Sequence, residues 1–185
     1  NNEIGVIQPV ELLADMAHDA GALFLCDAVQ GFGRVGLPHA ADMIAVTAHK
    51  IHGPKGIGAL WVREGVALEP LIHGGGQEQG LRSGTLSPAL CAGFGAAAKL
   101  AAQRADADAA HVARLRDRAL ALFQGWQVNG SLSNRYPGNL NLRREALDVA
   151  RLMSDVRGVA FSAGSACASG SGRPSHVLTA LGLSS

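Results

Sequence analysis

The sequence predicts an α/β fold, and three observations carry that prediction. Three short apolar runs of strand length each give way to polar residues, helical apolar spacing precedes the first run, and glycine-rich turns separate them. Residues 8–20 read as a helix. Pro9 suits a first helical turn, Leu12, Leu13, Met16, Ala17 and Ala20 make one apolar face, and Gly21 stops it. Residues 22–26 are a continuous apolar run ending at Asp27, and residues 42–46 repeat the pattern before Thr47-Ala48-His49-Lys50. A third run, residues 57–62, follows a Gly-Pro-Lys-Gly turn. Continuous apolar runs of this length fit strands buried on both faces of a largely parallel sheet.

A polar glycine loop occupies residues 73–85, and Ser87-Pro88 then forms an N-cap and first-turn pair for a long Ala-rich helix. That helix is expected to run to about Phe123, with a break near Asp106-Ala107-Asp108 and a stop at Gly125. Shorter elements follow: a strand over 140–142, a helix over 145–155, a strand over 159–161 and a final helix over 173–181. Two domains are expected, an α/β domain over 1–105 and a smaller α+β domain over 106–185.

Composition narrows the function. Across 185 residues, 48% are hydrophobic and 17% charged, which excludes wholesale disorder. Sixteen basic residues stand against fifteen acidic ones, so a nucleic-acid binder relying on a basic surface is not expected. Glycine reaches 24 residues, clustered in short loops and not in a repeat. Cys26, Cys91 and Cys167 are widely spaced, without a C-x-x-C pair, which argues against a disulfide framework or a structural metal site. No apolar run approaches the roughly 20 residues that span a bilayer, and no charged-then-apolar leader is present, so no membrane role and a cytoplasmic setting are expected. The first residue is Asn1, not Met, which suggests processing or a longer parent chain.

Open α/β sheets bind ligands at the carboxyl ends of their strands. Here those ends carry Asp27 with Gln30, then Thr47, His49 and Lys50. This set suggests pyridoxal phosphate, which needs a lysine amine for a Schiff base, a carboxylate beside its ring nitrogen, and hydroxyl and N–H donors for its phosphate. A solvated lysine and a helix-capping aspartate fit the same residues, and spacing alone leaves both readings open.

Several motifs add a resemblance. Asn1-Asn2-Glu3-Ile4-Gly5, Asp27-Ala28-Val29-Gln30, Ala48-His49-Lys50-Ile51-His52-Gly53-Pro54-Lys55-Gly56 and His73-Gly74-Gly75-Gly76-Gln77-Glu78 occur in order. Arg82-Ser83-Gly84-Thr85, Ser165-Ala166-Cys167-Ala168-Ser169 and Pro174-Ser175-His176-Val177-Leu178 follow. Together they resemble the cysteine desulfurases of the class-V aminotransferase family, most of all the NifS/IscS-like branch. The resemblance implies a fold-type I pyridoxal-phosphate-dependent transferase, with 1–105 the C-terminal part of the large cofactor-binding domain and 106–185 part of the small domain. It implies Lys50 as the Schiff-base lysine, Asp27 as partner of the ring nitrogen, and Gln30 and Asn2 at the ring and its phenolic oxygen. Thr47, which replaces a more frequent serine, and His49 stand at the phosphate, joined by Thr85 from the neighbouring subunit of a homodimer. Cys167 stands at the nucleophile's position, taking sulfur from L-cysteine as a persulfide for an acceptor such as an iron–sulfur scaffold.

Family members run to roughly twice this length, so the resemblance makes the chain a C-terminal half. The phosphate loop, the ring-stacking histidine and the carboxylate-binding arginine of relatives have no counterpart here. Gln79 stands where relatives commonly show a basic residue, and the connection from Gln30 to Thr47 is a few residues shorter. A selenocysteine lyase or other class-V relative, and an inactive truncated fragment, are the alternative readings. Cys26 and Cys91 are expected to be buried packing residues. His18, His39 and His111 are expected at the surface without partners, and His52 and His73 in structural roles.

Overall fold

Cys26 and Ile44 lie opposite each other on neighbouring parallel strands, and they centre the apolar core of the first part of the chain. The computed structural model describes residues 1–164 and 175–183. Pro9–Asp106 forms one compact unit, and Asn1–Gln8 together with Ala107–Ser185 forms a second. The first unit contains α1 (Val10–Asp19), β1 (Leu25–Asp27), β2 (Met43–Thr47) and β3 (Gly58–Val62), and α2 (Pro88–Leu122) begins in it. The strands form one mixed sheet in the order β1-β2-β3, with β1 parallel to β2 and β3 antiparallel to it.

Val10, Phe24 and Val46 pack on the core of Cys26, Ala28, Ala41 and Ile44. α1 contributes Val10 to that packing and buries Ala14 completely. The apolar face expected on α1 is therefore displaced. Leu12 and Met16 are each 59% exposed, because the helix meets its neighbours through the smaller side chains of Val10 and Ala14, two positions away. Burial on both strand faces is not observed either. β1 and β3 are the edges of a three-stranded sheet with one neighbour each, and Trp61 of β3 remains half exposed.

Asp42 locks the start of β2 to the start of β1. Its buried carboxylate accepts from His18 Nε2 at 2.7 Å and from the Phe24 backbone N–H at 2.8 Å, and pairs with Arg63 Nε at 3.4 Å. His18 thus has a partner, contrary to expectation, and links α1 to the sheet. Glu11 makes a similar tie, accepting from the N–H groups of His39 and Ala40 at 2.8 and 2.9 Å.

α2 is one continuous helix, without the break expected at residues 106–108. Asp106 and Asp108 are exposed there, and Asp carries only a modest helix penalty when no Pro or Gly accompanies it. The second unit contains β4 (Gln127–Val128), β5 (Leu142–Arg143), α3 (Val149–Asp155) and α4 (His176–Ala180). β4 and β5 pair antiparallel. Asp148 and Ser175 cap α3 and α4, accepting from the backbone N–H groups of Arg151 and Leu178. Residues 159–161 form no strand. Val159 is exposed, and among the described residues neither short strand of this unit pairs with that segment.

Arg135 binds the first residues of the chain into this unit. Its buried guanidinium donates to the carbonyls of Ile4 at 2.8 Å and Ser131 at 3.1 Å. Asn139 Nδ2 donates to the carbonyl of Asn2 at 3.1 Å, and Asn141 Nδ2 to that of Glu3 at 3.1 Å. Burial, and to a smaller degree Arg116, holds the Arg135 pKa below its usual value.

Two outcomes follow from these ties. The Phe24 N–H first, and then His18, hold the Asp42 carboxyl below the ordinary aspartate range. Its stabilising contribution is therefore complete above the ordinary value and disappears as pH falls through the folded value. Asp42→Asn should lower the melting temperature by several degrees at neutral pH and flatten its decline below about pH 4, as read by circular dichroism. Arg135→Met leaves the Ile4 and Ser131 carbonyls without their donor. Urea titration should record a loss of about 2–4 kcal/mol.

Candidate active site

Parallel strands end on the same side, so the β1–β2 pairing brings their carboxyl ends together. Asp27 closes β1 and faces Ala45, two residues before Thr47 closes β2. Asp27 is exposed, with Oδ1 accepting from the Val29 N–H at 2.9 Å. Immediately after Thr47 the chain winds into a 3-10 turn, Ala48–Ile51. Ala48 and Ile51 are buried and anchor this turn, leaving His49 exposed and Lys50 half-buried. The turn closes with His52 in a left-handed conformation at φ 66° and a Gly53 N–H to Ala48 carbonyl bond of 2.9 Å.

Thr47 Oγ1 donates to the Ile57 carbonyl at 3.1 Å and lies 3.0 Å from His49 Nδ1. A hydroxyl has one proton, so with that proton on Ile57 the imidazole donates to it through Nδ1–H. Gln30 follows β1 on a tight turn and accepts at Oε1 from Arg34 at 2.9 Å. The same guanidinium donates to the Lys50 carbonyl at 2.9 Å. Arg34 is the member of the site that sequence reasoning missed. Its one visible signal is a basic residue four positions after Gln30 in an otherwise apolar, glycine-rich stretch.

The remaining predicted residues are placed differently. Thr85 is exposed at the end of a loop stapled by the Gly84 N–H to Gln77 Oε1 at 2.9 Å and by the Ser83 N–H to the Ile72 carbonyl at 3.0 Å. Asn2 belongs to the second unit. There the Asn1 side chain accepts from the N–H groups of Glu3 and Ile4, forming a turn that leaves the Asn2 side chain exposed. Cys167 lies outside the described residues. Of the other cysteines, Cys26 is buried and Cys91 only half-buried. Burial first, then the nearby Asp27 and Glu11 charges, push the Cys26 thiol up, which makes it a poor nucleophile. No group of three or more His, Cys, Asp or Glu among the described residues is arranged to hold a metal ion.

The residues at the strand ends fit pyridoxal phosphate chemically. Lys50 Nζ and Asp27 Oδ2 have no partner among the described residues, so an amine and an acceptor oxygen stand available at and just beyond the ends of adjacent strands. The hydroxyl–imidazole pair beside them suits a phosphate.

The class-V aminotransferase family model matches residues 1–184. The chain belongs to the class-V aminotransferase family. It is 47% identical over 194 residues to the cysteine desulfurase of Gluconacetobacter diazotrophicus, a match covering 98% of this chain and 48% of the relative. Among solved structures, a NifS-like protein matches with a TM-score of 0.84 and 32% identity, over all of this chain and 50% of that one. SspA in complex with cysteine matches with a TM-score of 0.79 and 35% identity, over all of this chain and 53% of that one. The chain spans about half the length, or less, of the curated relatives it matches. Its architecture is accordingly the α/β one of a fold-type I transferase.

In this class-V aminotransferase chain the Lys50 turn packs too closely for a side chain at Gly53. A Cβ there would lie 3.0 Å from the Ala48 carbonyl oxygen and 3.1 Å from the Ala97 Cβ on α2. Gly53→Ala should destabilise the chain by about 1–3 kcal/mol in urea titration.

Proposed function

We propose that this chain serves a cysteine desulfurase, which converts L-cysteine to L-alanine and holds the sulfur as a persulfide on Cys167 for an acceptor protein in iron–sulfur cluster assembly or thiolation. One observation carries the reading. The Lys50 turn and Asp27 occupy the ends of adjacent parallel strands, in a chain similar along its length to proteins named cysteine desulfurase. A cytoplasmic setting belongs to the proposal, since Cys26 and Cys91 are free thiols.

Pyridoxal phosphate, when bound, supplies an electron sink for charge developing at the substrate's α-carbon. Lys50 would hold it covalently, and Asp27 would accept a hydrogen bond from its protonated ring nitrogen. Thr47 and His49 would take its phosphate, with Thr85 contributed by the neighbouring subunit of a homodimer. For this the Thr47 hydroxyl turns its proton away from the Ile57 carbonyl. Gln30 and Asn2 would meet the ring and its phenolic oxygen. The Lys50 amine, held close by its own tether, would take the proton from the substrate's α-carbon. The Cys167 thiolate then attacks the substrate sulfur. A sulfur–sulfur bond forms, the carbon–sulfur bond breaks with its electron pair left on carbon, and protonation of that carbon skeleton gives alanine. A plain transaminase has no use for a nucleophile at Cys167.

The holoprotein should absorb at about 400–430 nm. Lys50→Ala should abolish that band, whereas Cys167→Ser should keep it and lose sulfide release from L-cysteine. Sulfide release retained by Cys167→Ser would overturn the persulfide assignment, and a band retained by Lys50→Ala would overturn the role of the lysine.

A further inference from the structure

We propose that Arg34 is a positioning residue that fixes the Gln30 side chain as a hydrogen-bond donor and ties it to the backbone that carries Lys50. The inference deepens the cofactor reading above and rests on it. A guanidinium has five N–H donors and no acceptor. Arg34 donates to the Gln30 side-chain oxygen at 2.9 Å, to the Gln30 backbone carbonyl at 3.4 Å and to the Lys50 carbonyl at 2.9 Å. A glutamine amide facing a partner that only donates must present Oε1 to it. Its NH2 group is then turned to the other side, where it can only donate.

The second bond acts on distance. Gln30 and Lys50 are on separate segments, one after β1 and one after β2, and Arg34 bridges them through Gln30 Oε1 and the Lys50 carbonyl. The neighbouring Gly33 reinforces the bridge from an independent direction. It adopts φ +73°, and a Cβ there would lie 2.9 Å from Ile51 Cγ2 and 3.1 Å from the Ala101 Cβ of α2. The loop carrying Arg34 is therefore pressed directly against the Lys50 turn. Arg34 is half-buried, so its hydrogen bonds are weakened less by solvent than those of an exposed side chain. Its bonds to the Gln30 side chain and the Lys50 carbonyl make it act through those two residues.

An amide donor at the cofactor's phenolic oxygen stabilises that oxygen as an anion and lowers the proton affinity of the nitrogen joining the cofactor to Lys50. The test is a spectrophotometric pH titration of the holoprotein, following the band at about 400–430 nm in wild type, Arg34→Met, Arg34→Gln, Gln30→Leu and Gln30→Leu/Arg34→Met. Arg34→Met and Gln30→Leu should each raise the midpoint by about half a unit to one unit. Arg34→Met should add nothing in the Gln30→Leu background. Arg34→Gln, which can accept as well as donate, should shift the midpoint in the same direction, and it supplies the test if Arg34→Met does not fold.

Removing the Arg34 charge alone would also raise the midpoint, but that effect would persist undiminished in the Gln30→Leu background. Such persistence would overturn the proposal, as would an unchanged midpoint in the folded Arg34 variants. Absence of any band in wild type would instead overturn the cofactor reading, so the two failures are distinguishable.

Discussion

The parallel pairing of β1 with β2 is the constraint on which the rest of the first unit depends. A parallel neighbour requires a crossover, and here residues 28–42 make it. That connection is held at both ends by hydrogen bonds to fixed groups. Asp42, the last residue before β2, captures the Phe24 N–H just ahead of β1, so the two strands begin in register. At the far end, the Ala28 N–H donates to the Ala45 carbonyl at 3.0 Å, carrying the pairing one residue beyond Asp27. A slip of one residue would turn Cys26 and Ile44 out of the core and move Asp27 away from Thr47. Register, core and site are thus one requirement.

The polar residues at the strand ends were legible because an apolar run that stops abruptly at Asp27 or Thr47 marks both the strand and its end. Strand extents were less so. The apolar character of Ala22 and Leu23 places them with β1 on pattern alone, yet pairing begins only where Asp42 has fixed Phe24. Arg34 and Arg135 were missed for a related reason: the Arg34 bond to Lys50 and the Arg135 bonds go to backbone carbonyls, which leave no mark in the identity of the accepting residue. Arg135 reaches Ile4 across 131 positions. The strand expected at 159–161 had the composition but no partner, and a strand exists only as a pair. For Cys167 the sequence pattern stands by itself.

Hydrophobic pattern identified which side of α1 is apolar without identifying what would cover it. Val10 and Ala14 carry the packing, whereas Leu12 and Met16 remain open. Small side chains permit close approach, and that, more than the amount of apolar surface, decided which face of α1 turned inward.

The same closeness surrounds the Lys50 turn and gives the abundant glycine a more specific meaning than loop flexibility. Besides Gly53, Gly58 at the start of β3 leaves no room for a side chain, since a Cβ would lie 2.7 Å from the Val46 carbonyl oxygen. Gly33 presses on the turn from the Arg34 side. Gly33 and Gly53 flank a short segment whose own buried residues are Ala48 and Ile51, and Gly58 presses on the end of β2 from which that segment starts. The backbone at Lys50 is consequently held on several sides, while its Nζ has no partner among the described residues. A fixed base with a mobile amine lets one lysine both anchor a group and carry a proton, because the tether limits the search without dictating a single position.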